Sequence, residues 1–197
     1  MGHLRPRPKH LANKLLQIRL SLGLSQGEMV KRLRVQDLIH YTNISKYELD
    51  KNEPPLAILL AYGRLAGIPV EQIIDDDFAL PETLTPPPEL IESRKDKQRI
   101  MVFPVQRQQR LGQKLLQIRK WLKLSQPEMV ERLGLQTDFT LISMYEHNRR
   151  QPSLKILLAY ARIAGIPLEQ IVDDDLELQL SDGTPLNADA ATADMQR

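Results

Sequence analysis

The 197-residue sequence contains no cysteine, only nine glycines and no run of 18 apolar residues. Without cysteine the chain can form no disulfide framework, thiolate metal site or cysteine nucleophile. Without a long apolar run it has no candidate membrane-spanning helix. The opening segment MGHLRPRPKH also lacks the apolar core of a secretion signal, so we expect a soluble, cytoplasmic protein.

Motifs that carry enzyme chemistry are missing as well. The sequence has no phosphate-binding P-loop, no GxSxG elbow, no HExxH zinc motif and no Gly-rich dinucleotide fingerprint. The four histidines are scattered along the chain. We therefore predict that the protein is not an enzyme and uses neither a metal nor a cofactor.

The strongest signal in the sequence is an internal repeat. Residues 14–36 match residues 114–136 at 16 of 23 positions, and both segments begin with KLLQIR. Residues 44–77 then match residues 142–175 at 22 of 34 positions, with the offset changed from 100 to 98. Two copies of one folding unit follow from this similarity.

Prolines between and after the copies predict the domain organisation. We expect a first domain, a linker rich in proline, a second domain and a mostly disordered tail, at residues 9–77, 78–105, 106–175 and 176–197. The alternation of Leu176, Leu178 and Leu180 is typical of a short strand, which could pair with the apolar segment 100–103.

The small net charge of +2 hides an uneven distribution. The first copy carries a net charge of +5 before its aspartate run at 75–77, and the second carries +6 before the run at 173–175. We interpret the aspartate runs as solvated acidic ends rather than as metal ligands. Each copy is thus predicted to be basic with an acidic end.

Apolar spacing and capping residues predict five short helices in each copy. In the second copy the first helix covers about residues 107–122. Ser125 and Glu128 fit a capping box at the start of a second helix, and Gly134 fits the left-handed residue after it. Because Arg34 replaces this glycine in the first copy, we expect a different turn there.

The remaining helices follow from similar signals. Thr137 or Asp37 is expected to cap a third helix, with Asn148 or Asp50 just beyond its end. A fourth helix at 154–164 should end at a glycine, and a short fifth should follow the next proline. The predicted fold class is all-α.

The run L-S-Q-x-E-M-V-x-R-L, followed by I-S-x-Y-E and P-x-L-x-I-L-L-A-Y-x-R-x-A-G-I-P, occurs in both copies. It resembles the phage repressor/Cro type of helix-turn-helix DNA-binding domain. The resemblance implies two tandem five-helix repressor-like domains joined by a Pro-containing linker. It also implies that the third helix enters the DNA major groove.

The resemblance assigns roles outside the third helix. It implies that Gln26 and Gln126 each bind a phosphate at the start of the second helix. It also implies ion pairs that link the first and third helices and serve the structure, Arg19 with Glu48 and Arg119 with Glu146. Exposed cations after the third helix are expected to contact phosphates, namely Lys51, Arg149 and Arg150.

Helix geometry selects the base-contacting face of the third helix. If Ile142 is buried, residues two before and two after it lie about 160° away around the helix. The expected base contacts are therefore Thr140 and Met144 in the second copy and Thr42 and Lys46 in the first. The resemblance adds Tyr41 and Phe139, and the polar side chains of His40 and Asn43 extend the surface in the first copy.

Both copies depart from the family pattern before the third helix. The buried isoleucine follows Gly134 by eight residues and Arg34 by ten, which is longer than is usual in the family. The additional residues lie either in the turn or at the start of the third helix. Tyr41 and Phe139 could then be core residues of an extended turn instead of base contacts.

Two functions are consistent with these patterns. The first is a sequence-specific regulator of transcription that binds double-stranded DNA as a covalent pseudo-dimer on two non-identical half-sites. A flexible linker of 28 residues would span roughly 30 Å, and half-sites one helical turn apart are separated by about 34 Å. The alternative is a protein-interaction adaptor, suggested by the apolar residues Phe139, Leu141 and Met144, in which one or both copies do not bind DNA. Homo-oligomer formation or a partner protein stays open.

Overall fold

The computed structural model describes residues 7–86 and 108–180, which form ten α-helices and contain no strand. The all-α prediction is confirmed for these residues. The chain divides at Gln108 into two compact units, whose described parts are residues 8–86 and 108–180. Most of the predicted linker and tail, residues 87–105 and 181–197, lies outside the described residues.

Each unit contains five short helices in the same order. In the first unit they are α1 Leu11–Ser21, α2 Gln26–Leu33, α3 Tyr41–Glu48, α4 Leu56–Ala66 and α5 Val70–Ile74. In the second unit they are α6 Leu111–Trp121, α7 Gln126–Arg132, α8 Thr140–Glu146, α9 Leu154–Ala164 and α10 Leu168–Val172. The first and third helices of each unit pack on each other, and so do the second and third.

Equivalent apolar residues fill the two cores. Leu15 and Ile18 of α1 are fully buried with Ile44 of α3, and Leu115 and Ile118 take the same places in the second unit. Burial of one such side chain stabilises the fold by about 1.5–3 kcal/mol relative to exposure. The third helix of each unit is therefore held by its isoleucine, and its opposite face is directed outward.

The second helix starts with the predicted capping box in both units. In the first unit the Glu28 N–H donates to Ser25 Oγ at 3.2 Å, and the Ser25 N–H donates to Glu28 Oε2 at 2.8 Å. The hydroxyl and N–H of Ser25 lower the pKa of the Glu28 carboxyl. In the second unit Ser125 and Glu128 make the same exchange, so the capping prediction is confirmed.

The prediction of a different turn after α2 was wrong. Arg34 has φ 56° and Gly134 has φ 63°, so both residues are left-handed. A side chain in this region costs about 1–2 kcal/mol. In the first unit the Arg34 N–H donates to Lys31 O at 3.1 Å, and the fully buried Val35 donates to Val30 O at 3.2 Å. These bonds and the burial of Val35 offset the backbone strain.

The predicted caps of the third helix were also wrong. The residue before α3 is His40 and the residue before α8 is Phe139, instead of Asp37 and Thr137. Other side chains serve the first turn: the His40 N–H donates to Asn43 Oδ1 at 3.1 Å, and the Thr140 N–H donates to Asp138 Oδ1 at 2.7 Å. The helices start later because the additional residues before the buried isoleucine lie mainly in the preceding turn.

Predictions for the end of the third helix and for the last two helices are confirmed. In the second unit α9 ends at Ala164 and is followed by left-handed Gly165, and α10 begins directly after Pro167. Asp50 and Asn148 are left-handed, with φ 53° and 55°, one residue beyond the C-caps of α3 and α8. These sites depend on local backbone geometry, which the sequence specifies directly.

The interpretation of the aspartate runs as solvated ends holds only for Asp77 and Asp175, which are exposed, and was wrong for the first two residues of each run. Asp76 accepts the backbone N–H groups of Lys9 and His10, both at 2.9 Å, at the start of α1. Asp174 likewise accepts those of Gln109 and Arg110 at the start of α6. Since His10 and Arg110 make no side-chain cap themselves, the aspartates satisfy amides that a helix start leaves free.

A buried lysine joins the first and last helices of each unit. Lys114 Nζ donates to the carbonyl oxygens of Gln170 at 2.7 Å, Asp173 at 2.5 Å and Leu176 at 2.6 Å. Lys14 donates in the same way to Gln72 and Asp75. Burial lowers the pKa of both ammonium groups. A cation is favoured at these helix ends because free carbonyls carry partial negative charge.

The predicted strand at 176–180 is absent from the described residues, whereas its expected partner segment, 100–103, lies outside them. Arg110 donates to the Glu177 carboxylate at 2.7 Å, and the Gln179 N–H donates to Gln170 Oε1 at 2.8 Å. Contacts with α6 and α10 therefore determine the course of this segment. None of the helices in 7–86 and 108–180 has the length and apolarity needed to cross a lipid bilayer.

Candidate nucleic-acid interface

An ion pair fixes the third helix of each unit against the first. Arg19 Nε and Nη2 donate to the two Glu48 oxygens at 2.5 and 2.9 Å, and Nη1 donates to Leu24 O at 2.9 Å. Arg119 makes the equivalent bonds to Glu146 and Leu124 at the same distances. Hydrogen bonding to the glutamate raises the pKa of both guanidinium groups. This bidentate geometry fixes the first and third helices and the loop before the second.

The glutamate of each ion pair also holds a glutamine at the start of the second helix. Gln26 Nε2 donates to Glu48 Oε2 at 3.0 Å, and Gln126 Nε2 donates to Glu146 Oε2 at 3.0 Å. Both glutamine side chains are half-buried. An amide nitrogen has two hydrogens, so this bond leaves one for another acceptor. The phosphate contact expected for these glutamines stays a prediction.

The outward face of α3 is mainly polar. Thr42 and Lys46 are exposed, and they lie on the opposite side of the helix from the buried Ile44. Tyr41 is 50% exposed, and its ring centroid lies 4.1 Å from that of His40. The first unit therefore presents hydroxyl, ammonium and imidazole groups together.

Two of these polar groups also order the start of α3. His40 Nδ1 lies 3.3 Å from Thr42 Oγ1. Asn43 is half-buried and accepts the His40 N–H, so its oxygen is engaged within the turn. We infer that His40 and Asn43 help to fix the positions of Tyr41 and Thr42.

The outward face of α8 is largely apolar. Phe139 is 49% exposed, Thr140 is exposed, and Leu141 and Met144 are half-buried. Ile142 is fully buried on the opposite side. The alternative in which Tyr41 and Phe139 are core residues is therefore wrong, because the extended turn places both rings partly in solvent.

The chain after the third helix folds back in the same way in both units. The N–H groups of Lys51 and Asn52 donate to Lys46 O at 2.8 and 3.2 Å. In the second unit those of Arg149 and Arg150 donate to Met144 O at the same two distances. All four residues after the helices are exposed, and their backbone lies against the last turn of the third helix.

The longer turn of the first unit exposes a leucine that sequence reasoning missed. The N–H groups of Leu38 and Ile39 donate to Val35 O at 3.0 and 2.9 Å, which closes a turn over the buried Val35. Leu38 is left 57% exposed beside the start of α3. The sequence did contain an indication of this exposed leucine. Residues 38–41, LIHY, are mainly apolar and lie in a region where the two copies differ.

Sequence reasoning also missed the bond between each glutamine and the glutamate of the ion pair. The signal that could have indicated it is the identity of all three residues in both copies. Among the described residues, no group of three or more histidines or acidic residues is arranged to hold a metal ion.

Comparison with known proteins adds one match. The model of a helix-turn-helix domain family matches residues 112–174, which include α7 and α8. The match indicates a DNA-binding regulatory kind of function for this segment, and it confirms the helix-turn-helix resemblance for the second copy. No curated protein and no solved structure matches the chain.

Proposed function

We propose that the protein is a sequence-specific DNA-binding regulator of transcription whose two units bind neighbouring, non-identical half-sites on one duplex. The proposal depends on one observation: the two units share the same buried hydrogen-bond network but have different exposed residues on their third helices. In both units an Arg–Glu–Gln network joins the first three helices, while the outward residues of α3 and α8 differ. Unlike surfaces on like frameworks favour unlike half-sites.

The proposed contacts divide into two kinds. Gln26, Lys51 and their counterparts in the second unit contact phosphates, which positions each unit without selecting a sequence. The outward residues of α3 and α8 contact base edges, which selects the sequence. Covalent joining makes the second binding event intramolecular, so two weak units bind tightly together.

Full-length variants test whether both units bind. Lys46→Gln with Lys51→Gln removes two cations from the first unit, and Arg149→Gln with Arg150→Gln removes two from the second. At about 1 kcal/mol for each lost contact, either pair weakens binding about 30-fold. Fluorescence anisotropy with a duplex selected from a random DNA pool measures the dissociation constants.

A matched double variant serves as the control. Lys9→Gln with Lys120→Gln also removes two exposed cations, but neither residue lies on the second or third helix of its unit. It should change the affinity much less than either pair at the interface. If the variant of one unit behaves like the control, that unit does not bind DNA and the pseudo-dimer is refuted.

A protein-interaction adaptor is the second candidate function, and the exposure of Phe139 beside Leu141 and Met144 favours it. Salt dependence separates the two functions. DNA binding that neutralises several phosphates weakens steeply as the salt concentration rises, because counterions are released on binding. An apolar protein contact responds little to salt, so salt-independent binding would favour the adaptor.

A further inference from the structure

We propose that the second unit recognises the 5-methyl groups of thymine through Phe139 and Met144, whereas the first recognises polar base edges through Thr42 and Lys46. This inference rests on the proposed function and names the class of base that each unit selects. The two halves of the DNA site would then differ in chemistry as well as in sequence.

The geometry of α8 places the two apolar side chains on the exposed side of the unit. Phe139 directly precedes the helix and is 49% exposed. Thr140 and Met144 are one turn apart, opposite the fully buried Ile142. A partner that contacts these residues therefore meets a phenyl ring, a hydroxyl and a partly exposed thioether.

Thymine is the base that best fits a surface formed by phenylalanine and methionine side chains. Among the four bases, only thymine presents an apolar group, its 5-methyl, in the major groove. Phenylalanine has no hydrogen-bonding group, and the methionine sulfur is only a weak acceptor. A donor or acceptor on another base edge would lose water against these side chains without gaining a partner, which is costly.

Charge next to the patch favours DNA over an apolar protein as its occupant. The backbone N–H groups of Arg149 and Arg150 donate to Met144 O, so the backbone of two exposed arginines lies against the helix turn that carries Met144. Guanidinium groups suit phosphate oxygens because they donate in a planar, bidentate arrangement. The apolar side chains would contact thymine methyl groups in the major groove, and the two arginines would contact the phosphates that border the groove.

The first unit supplies an internal comparison. Lys46 has the position of Met144, and its carbonyl accepts the N–H groups of Lys51 and Asn52 in the same geometry. The ammonium group of Lys46 can donate to guanine acceptors, and Thr42 can donate or accept. Thr140 of the second unit is equivalent to Thr42, so the difference in base preference is assigned mainly to Lys46 and Met144.

Replacing thymine by uracil tests the inference. Uracil lacks the 5-methyl group but keeps every hydrogen-bonding group, so each thymine of a duplex selected from a random pool is replaced in turn. The full chain should bind about fourfold more weakly for each contacted methyl that is lost, the effect of burying about one methylene. The sensitive positions should be confined to one half-site.

Two full-length variants assign the effect to a unit. Met144→Lys should abolish the uracil sensitivity at the thymine that Met144 contacts, whereas Lys46→Met should leave the sensitivity in place at the original half-site. Circular dichroism spectra verify that both variants are folded. The native chain is informative by itself: tight, sequence-specific binding that is unaffected by uracil at every position would overturn the inference.

The outcomes keep the inference separate from the proposed function. Failure of the full chain to enrich any sequence from the pool would refute the proposed function, and the thymine assignment with it. Enrichment without uracil sensitivity would refute the thymine assignment alone. Uracil sensitivity that is unchanged at every position in Met144→Lys, or that disappears in Lys46→Met, would also overturn the thymine assignment.

Discussion

Lys46 in the first unit and Met144 in the second occupy the same backbone position, and each carbonyl accepts two N–H groups from the turn that follows. The first unit thus has one cation on its third helix and one, Lys51, in the turn after it, whereas the second has both of its arginines in that turn. The two units therefore share the same backbone geometry around the third helix, but their positive charges lie at different positions.

The residues that differ are not those that hold the helices together. The arginine, glutamate and glutamine of the buried network are the same in both units, and their hydrogen bonds have the same lengths. The residues on the exposed side of α3 and α8 are mostly different. The comparison indicates a common scaffold that carries two unlike exposed surfaces.

The largest expected effect tests the common scaffold. Glu48→Ala and Glu146→Ala each leave a half-buried arginine without its carboxylate partner, which should cost about 3 kcal/mol in the stability of the affected unit. Because Trp121 is the single tryptophan, fluorescence during urea unfolding reports the second unit, and circular dichroism reports both.

The exposed Glu131→Ala is the control for this pair, and it should change stability by less than about 0.5 kcal/mol. A loss below about 1 kcal/mol for either buried glutamate would show that the ion pair does not serve as a scaffold in that unit.

The next largest effect concerns the packing of the first helix on the third, which differs between the two units. A Cβ atom at Gly112 would lie 2.5 Å from Glu146 O, whereas the first unit has Ala12 at the equivalent position. Gly112→Ala should therefore destabilise the second unit by about 1–3 kcal/mol, through overpacking against α8. Thermal unfolding followed by Trp121 fluorescence measures the change.

Ala12→Gly provides the matched variant, and it should cost no more than about 1 kcal/mol, the difference in helix propensity. If Gly112→Ala proves neutral, the first and third helices are no closer in the second unit than in the first.

The salt dependence of DNA binding should reveal the shift of charge. Each lost phosphate contact lowers the slope of log K against log salt concentration by about 0.9. Arg149→Gln with Arg150→Gln should therefore reduce the slope by about two, and Lys51→Gln should reduce it by about one. Equal reductions from the two changes would contradict the proposed difference in the number of phosphate contacts.

The smallest expected effect concerns the second helix. The first unit has Gly27 where the second has Pro127, and a Cβ at Gly27 would contact no atom within 4 Å. Gly27→Pro should stabilise the first unit by about 0.4–1 kcal/mol, because it restricts the unfolded chain. The change is measured as a higher midpoint in urea unfolding, with Pro127→Gly as the reverse comparison. A lower midpoint for Gly27→Pro would mean that α2 and α7 begin differently.

Much of the local structure could be predicted from the sequence because it depends on nearby residues. The capping boxes at Ser25 and Ser125 involve side chains three residues apart, and the end of α9 depends on Gly165. The backbone conformation of Arg34 was harder to predict, since the burial of Val35 and the bonds around it outweigh the preference of a single residue.

Contacts between distant parts of the chain explain the other errors. Asp76 caps α1 from 66 and 67 residues away, and Lys14 bonds to carbonyls about 60 residues away. Neither partner can be identified from local periodicity. The exposed face of the third helix was easier to infer, because burial of Ile44 and Ile142 fixes which residues lie opposite.

The most direct test of two unlike units acting on one duplex is selection of bound sequences from a random DNA pool by the full chain. The account predicts a composite site: two dissimilar half-sites at a constant separation, one of them rich in thymine. A single half-site, two identical half-sites or no enrichment at all would contradict it.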